Sequence, residues 1–246
     1  MELFKFAYCG SYGSVINQLA TLAPEKWSFG DLNDNSILKN YIKYTFARLC
    51  DENKIIETDT HALFNTGLFD VYYRPIFAYF SLNKNPNKQK WFLDSFMTEY
   101  QLTSLGIVEK PERANYFENP ADLVFDTRLE IVAQYEHIFG DNDNMQRFPI
   151  SIRHSSMKTA LFDSALQITK KMLEANYKIA VPQFYNGKVQ LLLPICLQND
   201  NQPDLALVCV KTENGTKYLG TTCLTLEMAY NNARLIAKPE SNWLHA

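Results

Sequence analysis

The sequence predicts an α+β fold: a mainly antiparallel sheet with a C-terminal four-strand meander and flanking helices. Three observations lead there. Three stretches repeat apolar residues at three- and four-residue spacing, as helices with one buried face do. Two Asn-Gly pairs each sit between runs rich in β-branched and aromatic residues, which marks tight hairpins. Helical and strand patterns do not alternate regularly along the chain, so a doubly wound parallel sheet is disfavoured. The 246 residues suit one large domain or two small ones, and 3 Trp, 14 Tyr and 16 Phe can fill a substantial core.

Glu2, Lys5, Asn17 and Gln18 interrupt the apolar residues of the first 22 positions, so this stretch reads as having neither the uninterrupted core of a signal peptide nor a spanning length. Residues 1–30 are expected to be an extension packed on a single domain over 31–246, with room for a subdivision near 141–150, and the chain is read as cytoplasmic. Ser36–Asp51 places Leu38, Tyr41, Ile42, Thr45, Phe46 and Leu49 on one helical face, with Ser36 as the cap. Residues 54–57, 61–66 and 71–82 read as strands, separated by turns at Asp59-Thr60 and at Gly67. The polar run 83–89 and the stretches around Pro111 and Pro120 read as loops, while 91–100 is strand or helix.

Residues 157–175 form the strongest helical pattern, with Leu161, Ala165, Ile168 and Met172 on one stripe. Two hairpins follow, 179–185 with 188–197 across Asn186-Gly187, and 205–211 with 217–222 around Asn214-Gly215. The almost continuously apolar run 189–197 suits a strand buried on both faces, with Pro194 marking a bulge or an edge. Residues 226–237 close the chain as a helix capped by Thr225.

With 24 Lys plus Arg against 27 Asp plus Glu the net charge is −3, so the chain does not coat duplex DNA, whose binding rests on neutralising many phosphates. No nucleotide-binding, nucleophile-elbow or zinc-protease motif is present, and no cofactor or metal is expected. Asp141-Asn142-Asp143-Asn144 starts like a calcium loop but has Gln146 and Ile152 where that loop needs Gly and Glu. The five cysteines lack paired spacing and read as reduced thiols.

Four clusters carry the chemistry that is left. Asn65, Thr66 and Gly67 form either a plain turn or a strand end offering amides to a phosphate. His137, with Arg147 behind it, is either a helix end or an acid or base beside an anion-binding guanidinium. Lys178, Ala180 and Pro182 share one strand face and Ile179, Val181 and Gln183 the other. Gln183 on that apolar face is therefore satisfied by its surroundings or reads a ligand's polar edge. Glu227, Asn231, Arg234 and Lys238 make a polar stripe on the last helix, which is a solvated face or the wall of a cleft.

Taken with Asn65-Thr66-Gly67-Leu68, Arg147-Phe148-Pro149, Asn176-Tyr177-Lys178, Val181-Pro182-Gln183-Phe184-Tyr185, Leu191-Leu192-Leu193-Pro194 and Pro203-Asp204-Leu205-Ala206-Leu207, the long tract from Leu224 to Ile236 resembles a microbial family known as a domain of unknown function (family 3825). The resemblance runs from about Trp27 to Leu244. Members are joined to RNA-associated modules such as cold-shock or LOTUS-like domains, so the resemblance implies an RNA or nucleotide connection; it implies no catalytic residues. The expected activity is binding of a nucleotide or a short single-stranded RNA segment, with Tyr177, Tyr185 and Tyr230 as stacking surfaces and Arg234, Arg147 and Lys178 as phosphate contacts. One alternative is a phosphohydrolase or nuclease using His137 with Asp204 or Glu227. Another is a protein-interaction scaffold.

Overall fold

The computed structural model describes residues 1–199 and 202–246, which fall into two units, Met1–Asn115 and Tyr116–His245. The first unit begins with α1 (Leu3–Phe6), β1 (Ala7–Tyr8), α2 (Tyr12–Leu22) and α3 (Ser36–Asp51). The apolar face read from the sequence is the buried face of α3, and Ile37 joins it. Ser36 is not the cap. It is the first helical residue, its amide is accepted at 2.9 Å by Asp34 Oδ1, and the cap position is taken by Asn35 at φ 52°. Asn tolerates that left-handed conformation better than most residues.

After α3 come β2 (Ile56–Glu57), β3 (His61–Phe69), β4 (Pro75–Leu82), β5 (Trp91–Thr98) and α4 (Glu99–Ser104). The turn expected at Gly67 lies instead at 70–74. There Asp70 Oδ1 accepts the amides of Tyr72 and Arg74, both at 2.9 Å. Gly67 sits inside β3, where the pairing with β4 slips between Asn65 and Phe69. The sheet order is β1-β5-β4-β3-β2; β1 runs parallel to β5 and the other pairs are antiparallel. Phe46 of α3, Phe64 of β3 and Phe80 of β4 make ring contacts in series, the first edge-on and the second tilted, with centroids 5.5 and 5.8 Å apart. Such contacts add to the burial of large apolar surfaces.

The second unit holds β6 (Glu130–Ala133), α5 (Tyr135–Gly140), α6 (Asn142–Met145), α7 (Ile150–Arg153) and α8 (Lys158–Ala175), and then β7 (Val181–Tyr185), β8 (Lys188–Ile195), β9 (Leu205–Lys211), β10 (Lys217–Leu224) and α9 (Leu226–Ile236). Its sheet order is β6-β10-β9-β8-β7, with β6 parallel to β10 and β7 to β10 pairing antiparallel in succession. The α+β class stands, but the one sheet expected is two, and the four-strand meander makes up four of the five strands of the second. Each sheet is nevertheless mixed, because one parallel strand is added beside the last strand of the meander.

The stripe expected on α8 is rotated. Leu161 and Ile168 are 39% and 43% exposed, whereas Phe162, Ala165, Leu166, Thr169 and Leu173 are buried against β8, β9 and β10. The period was legible, but Thr169 and Phe162 decide the phase: Thr169 Oγ1 donates to Pro194 O at 2.6 Å. At the first hairpin Asn186 and Gly187 have φ of 49° and 75°, the two positive angles of a type I′ turn. The second differs, a longer loop over 212–216 in which Gly215 is left-handed and Asn214 is not. Pro194 lies past the last β7–β8 pair, Val181 with Leu192, so its missing N–H faces no strand on that side. On α9, Thr225 Oγ1 accepts the Met228 amide, as the cap expected there should.

All five cysteines are free thiols. Burial pushes Cys9 up to about 12 and raises Cys209 and Cys223 further, which makes them inert small apolar groups. Among the described residues no helix is long and apolar enough to cross a membrane.

Candidate functional site

Asn65, Thr66 and Gly67 belong to the first unit and the other candidate residues to the second. In β3 the three residues serve one another. Asn65 Oδ1 accepts the Gly67 amide at 2.9 Å and Asn65 Nδ2 donates to Pro111 O at 3.2 Å; Thr66 Oγ1 donates to Ile76 O at 2.7 Å and accepts from Leu68 N. Tyr41 OH donates to Thr66 O at 2.9 Å, and a Cβ on Gly67 would lie 2.8 Å from that phenol oxygen. The tract is a self-satisfied bulge whose polar atoms face inward.

His137 on α5 is exposed; its amide donates to Gln134 O at 3.0 Å and its carbonyl accepts from Asn144 Nδ2 at 2.8 Å. Asn144 Oδ1 accepts from Thr222 Oγ1, and Arg147 Nη1 donates to Cys223 O at 2.9 Å. Arg147 thus ties α6 to the end of β10. Asp141 caps α6, accepting from Asp143 N at 2.8 Å. Both carboxylate oxygens of Asp204 are used in the β8–β9 connection, Oδ2 by the amides of Leu197 and Gln198 and Oδ1 by Gln198 Nε2. Glu227 is exposed in the first turn of α9. The ends of β6, β9 and β10 bring these three acid or base candidates to one end of the sheet, but no hydrogen bond links them. Among the described residues no group of three metal-binding side chains occurs.

Gln183 is 1% exposed and satisfied by side chains. Its Nε2 donates to Gln190 Oε1 at 2.8 Å across the strand pair, and its Oε1 accepts from Asn232 Nδ2 at 3.1 Å. The polar pair Asn231-Asn232 on α9 is explained in part by this contact and by Asn231 Nδ2, which donates to Glu227 O. Tyr230 and Arg234 are 3% and 8% exposed, so neither presents a surface to solvent. Tyr185, at the tip of the first hairpin, is half exposed.

Two candidates share a concave surface. A cleft of about 800 Å³ is lined by residues 176–182, by the C-terminal end of α9 and by the segment 237–243. Residues 177–179 form a 3-10 turn rather than the start of β7, so Lys178 is on a corner and not on a strand face. Asn176 Oδ1 accepts the Lys178 amide at 3.1 Å and fixes that corner. Two hydrogen bonds anchor the opposite wall, Ser241 Oγ donating to Lys178 O at 2.7 Å and Trp243 Nε1 to Ile179 O at 2.8 Å. Tyr177, 57% exposed, shares this lining with Lys178 and Lys238. The sequence pointed to Tyr177, Lys178 and, through the helix stripe, Lys238. It gave no signal for Ser241 or Trp243, whose role arises only when the tail folds back onto the 3-10 turn.

The sequence model of a family described as a domain of unknown function (DUF3825) matches residues 19–243. The chain belongs to this family. No curated protein and no solved structure matches it. The DUF3825 match takes in every candidate residue and both walls of the cleft, through Trp243.

Proposed function

We propose that this DUF3825 chain binds a nucleotide or a short single-stranded RNA segment in the cleft between the 177–179 turn and the 237–243 segment. The observation that carries the reading is that the exposed Tyr177 ring lines one concave surface of about 800 Å³ together with Lys178 and Lys238. That volume suits a small ligand. A phenol ring offers a stacking face to a base of any sequence, and two ammonium groups suit a phosphate as point charges. Asn176 and Asn242 add amide groups to the lining, the kind of donors and acceptors that read a base or sugar edge. The near-neutral chain is consistent with such a local contact. The hydrolase alternative gains no comparable support, since the side chain of Asp204 is spent on its own loop.

Calorimetric titration with mono-, di- and trinucleotides tests the reading. Lys178→Ala and Lys238→Ala should each weaken binding several-fold, and Tyr177→Ala about tenfold, the loss typical of one base-stacking contact. The site is wrong if no nucleotide binds, or if all three variants bind as the parent does.

A further inference from the structure

A second surface, in the first unit, combines lysines and aromatic rings in one continuous patch. Phe4 and Tyr8 are 42% and 40% exposed. Phe4 meets Tyr12 edge-on at 5.0 Å, and Tyr8 packs on Phe92 at 6.1 Å. Lys43 Nζ stands 5.4 Å from the Phe4 centroid and Lys88 Nζ 5.3 Å from the Tyr8 centroid. The loop between β4 and β5 supplies Lys84, Lys88 and Lys90, all exposed, and is joined to α1 by Gln89 Nε2, which donates to Phe4 O at 2.8 Å. Its conformation is set locally: Asn83 Oδ1 accepts the Asn85 amide and Asn85 Oδ1 the Asn87 amide, both at 3.0 Å. The three Asn of this polar run therefore present the three Lys from a shaped loop.

Charge decides what such a patch fits. Among the described residues none of Lys43, Lys84, Lys88 and Lys90 is ion-paired, and Glu2, the carboxylate on the approach to α1, is paired with Lys5 at 3.3 Å. Four uncompensated cations on a chain of net charge −3 make a local anion-attracting surface. Each ammonium lies over the face of its ring, in the weak cation–π contact of an exposed site. A phosphate that pairs with the lysine therefore arrives beside an aromatic ring, and drawing the ammonium aside uncovers that face for the adjoining base. A single-stranded polynucleotide has that alternation of base and phosphate, whereas a duplex hides its base faces and an acidic peptide has none to stack.

We infer that the Phe4, Tyr8, Lys43 and Lys84–Lys90 surface binds single-stranded nucleic acid, independently of the cleft in the second unit. Fluorescence anisotropy of the full chain with a labelled 12-nucleotide RNA, the DNA of the same sequence and the corresponding RNA duplex tests it over a range of salt. The single strands should bind more tightly than the duplex. A ribose preference would show that the 2′-hydroxyl is read, and equal binding that it is not; both support the surface. Lys43→Ala combined with Lys88→Ala should weaken binding about tenfold at low salt and flatten the slope of log K against log salt by about 1.4, at 0.7 per phosphate contact on single strands. Tyr8→Leu keeps an apolar side chain in β1 and should cost about tenfold through lost stacking. In a Tyr177→Ala, Lys178→Ala background, which removes the cleft's own contacts, 12-mer binding should persist and the Lys43, Lys88 and Tyr8 variants should cost as much as before, so the two sites fail separately; loss of all 12-mer binding in that background also overturns the inference. The inference is overturned if the parent chain does not bind single strands, if the double lysine variant binds as the parent does, or if polyglutamate displaces the RNA as well as unlabelled RNA does.

Discussion

The two units repeat one strand order and spend their buried polar groups differently. In each, the first strand lies parallel beside the last, the four later strands form an antiparallel meander, and a helix follows. The first sheet breaks its ladder at Asn65–Phe69 and fills the break with Asn65, Thr66 and Tyr41. The second keeps β7 and β8 in unbroken register and buries a side-chain chain instead, Gln190 to Gln183 to Asn232. Their closing helices differ as well, six residues for α4 against eleven for α9, which reaches from β10 across to β7. One topology thus tolerates a polar defect either in the backbone of a central strand or between the sheet and its covering helix. The concave surface lies beside the longer helix.

The sharpest way to break this contrast is Gly67→Ala. An alanine there must hold φ 75° and press on the Tyr41 phenol. Left-handed strain and loss of the bond to Thr66 O together should cost about 2–4 kcal/mol by chemical denaturation. If the loss is under 1 kcal/mol, the bulge is not a structural keystone. In the second unit Gln183→Leu leaves Gln190 and Asn232 without their shared partner, at about 1–3 kcal/mol, and Gln183→Leu with Asn232→Leu should recover part of that loss. Gly187→Ala, at a turn with nothing within 4 Å of a Cβ, should cost only about 1 kcal/mol from conformation alone, which isolates the steric share of the Gly67 effect.

The smallest expected effect concerns pH. A hydrogen bond from its hydroxyl to Asp163, with burial, pushes Tyr135 up to about 12. The folded state therefore holds this proton where the unfolded chain, with a tyrosine near 10, has lost it. This contribution to stability is full below pH 10 and fades as pH rises from 10 to 12. Tyr135→Phe should flatten that part of the stability curve; an unchanged slope would show that the buried thiols alone set alkaline sensitivity.

Regular features were legible because they depend on local period and turn chemistry. The α3 face, the Asn186-Gly187 turn and the Thr225 cap follow from residues within a few positions of one another. What escaped depends on distant partners. Strand β6 is four residues long and is held by β10 nearly ninety positions later, and the short helices α5, α6 and α7 have too few turns to show a period. Thr169 is buried because Pro194 O needs a donor, a fact no helical wheel contains. The candidate site residues divide in the same way. Tyr177 and Lys178 stand on a corner that Asn176 shapes locally, whereas the burial of Arg234 and Tyr230 depends on packing that spacing along α9 does not report.

The parallel edge strands give each unit a deadline during synthesis. Ala7 pairs with Trp91 and Glu130 with Lys217, so more than eighty residues must be made before either first strand finds its neighbour. The hairpins between can zip as they emerge, because their loops are short and cheap to close. Until β5 or β10 arrives, β1 and β6 wait with unpaired edges, and the last strand of each meander acts as the latch that retires them. A ribosome pausing while only β5 or β10 is still enclosed in its exit tunnel would hold those edges exposed for longest.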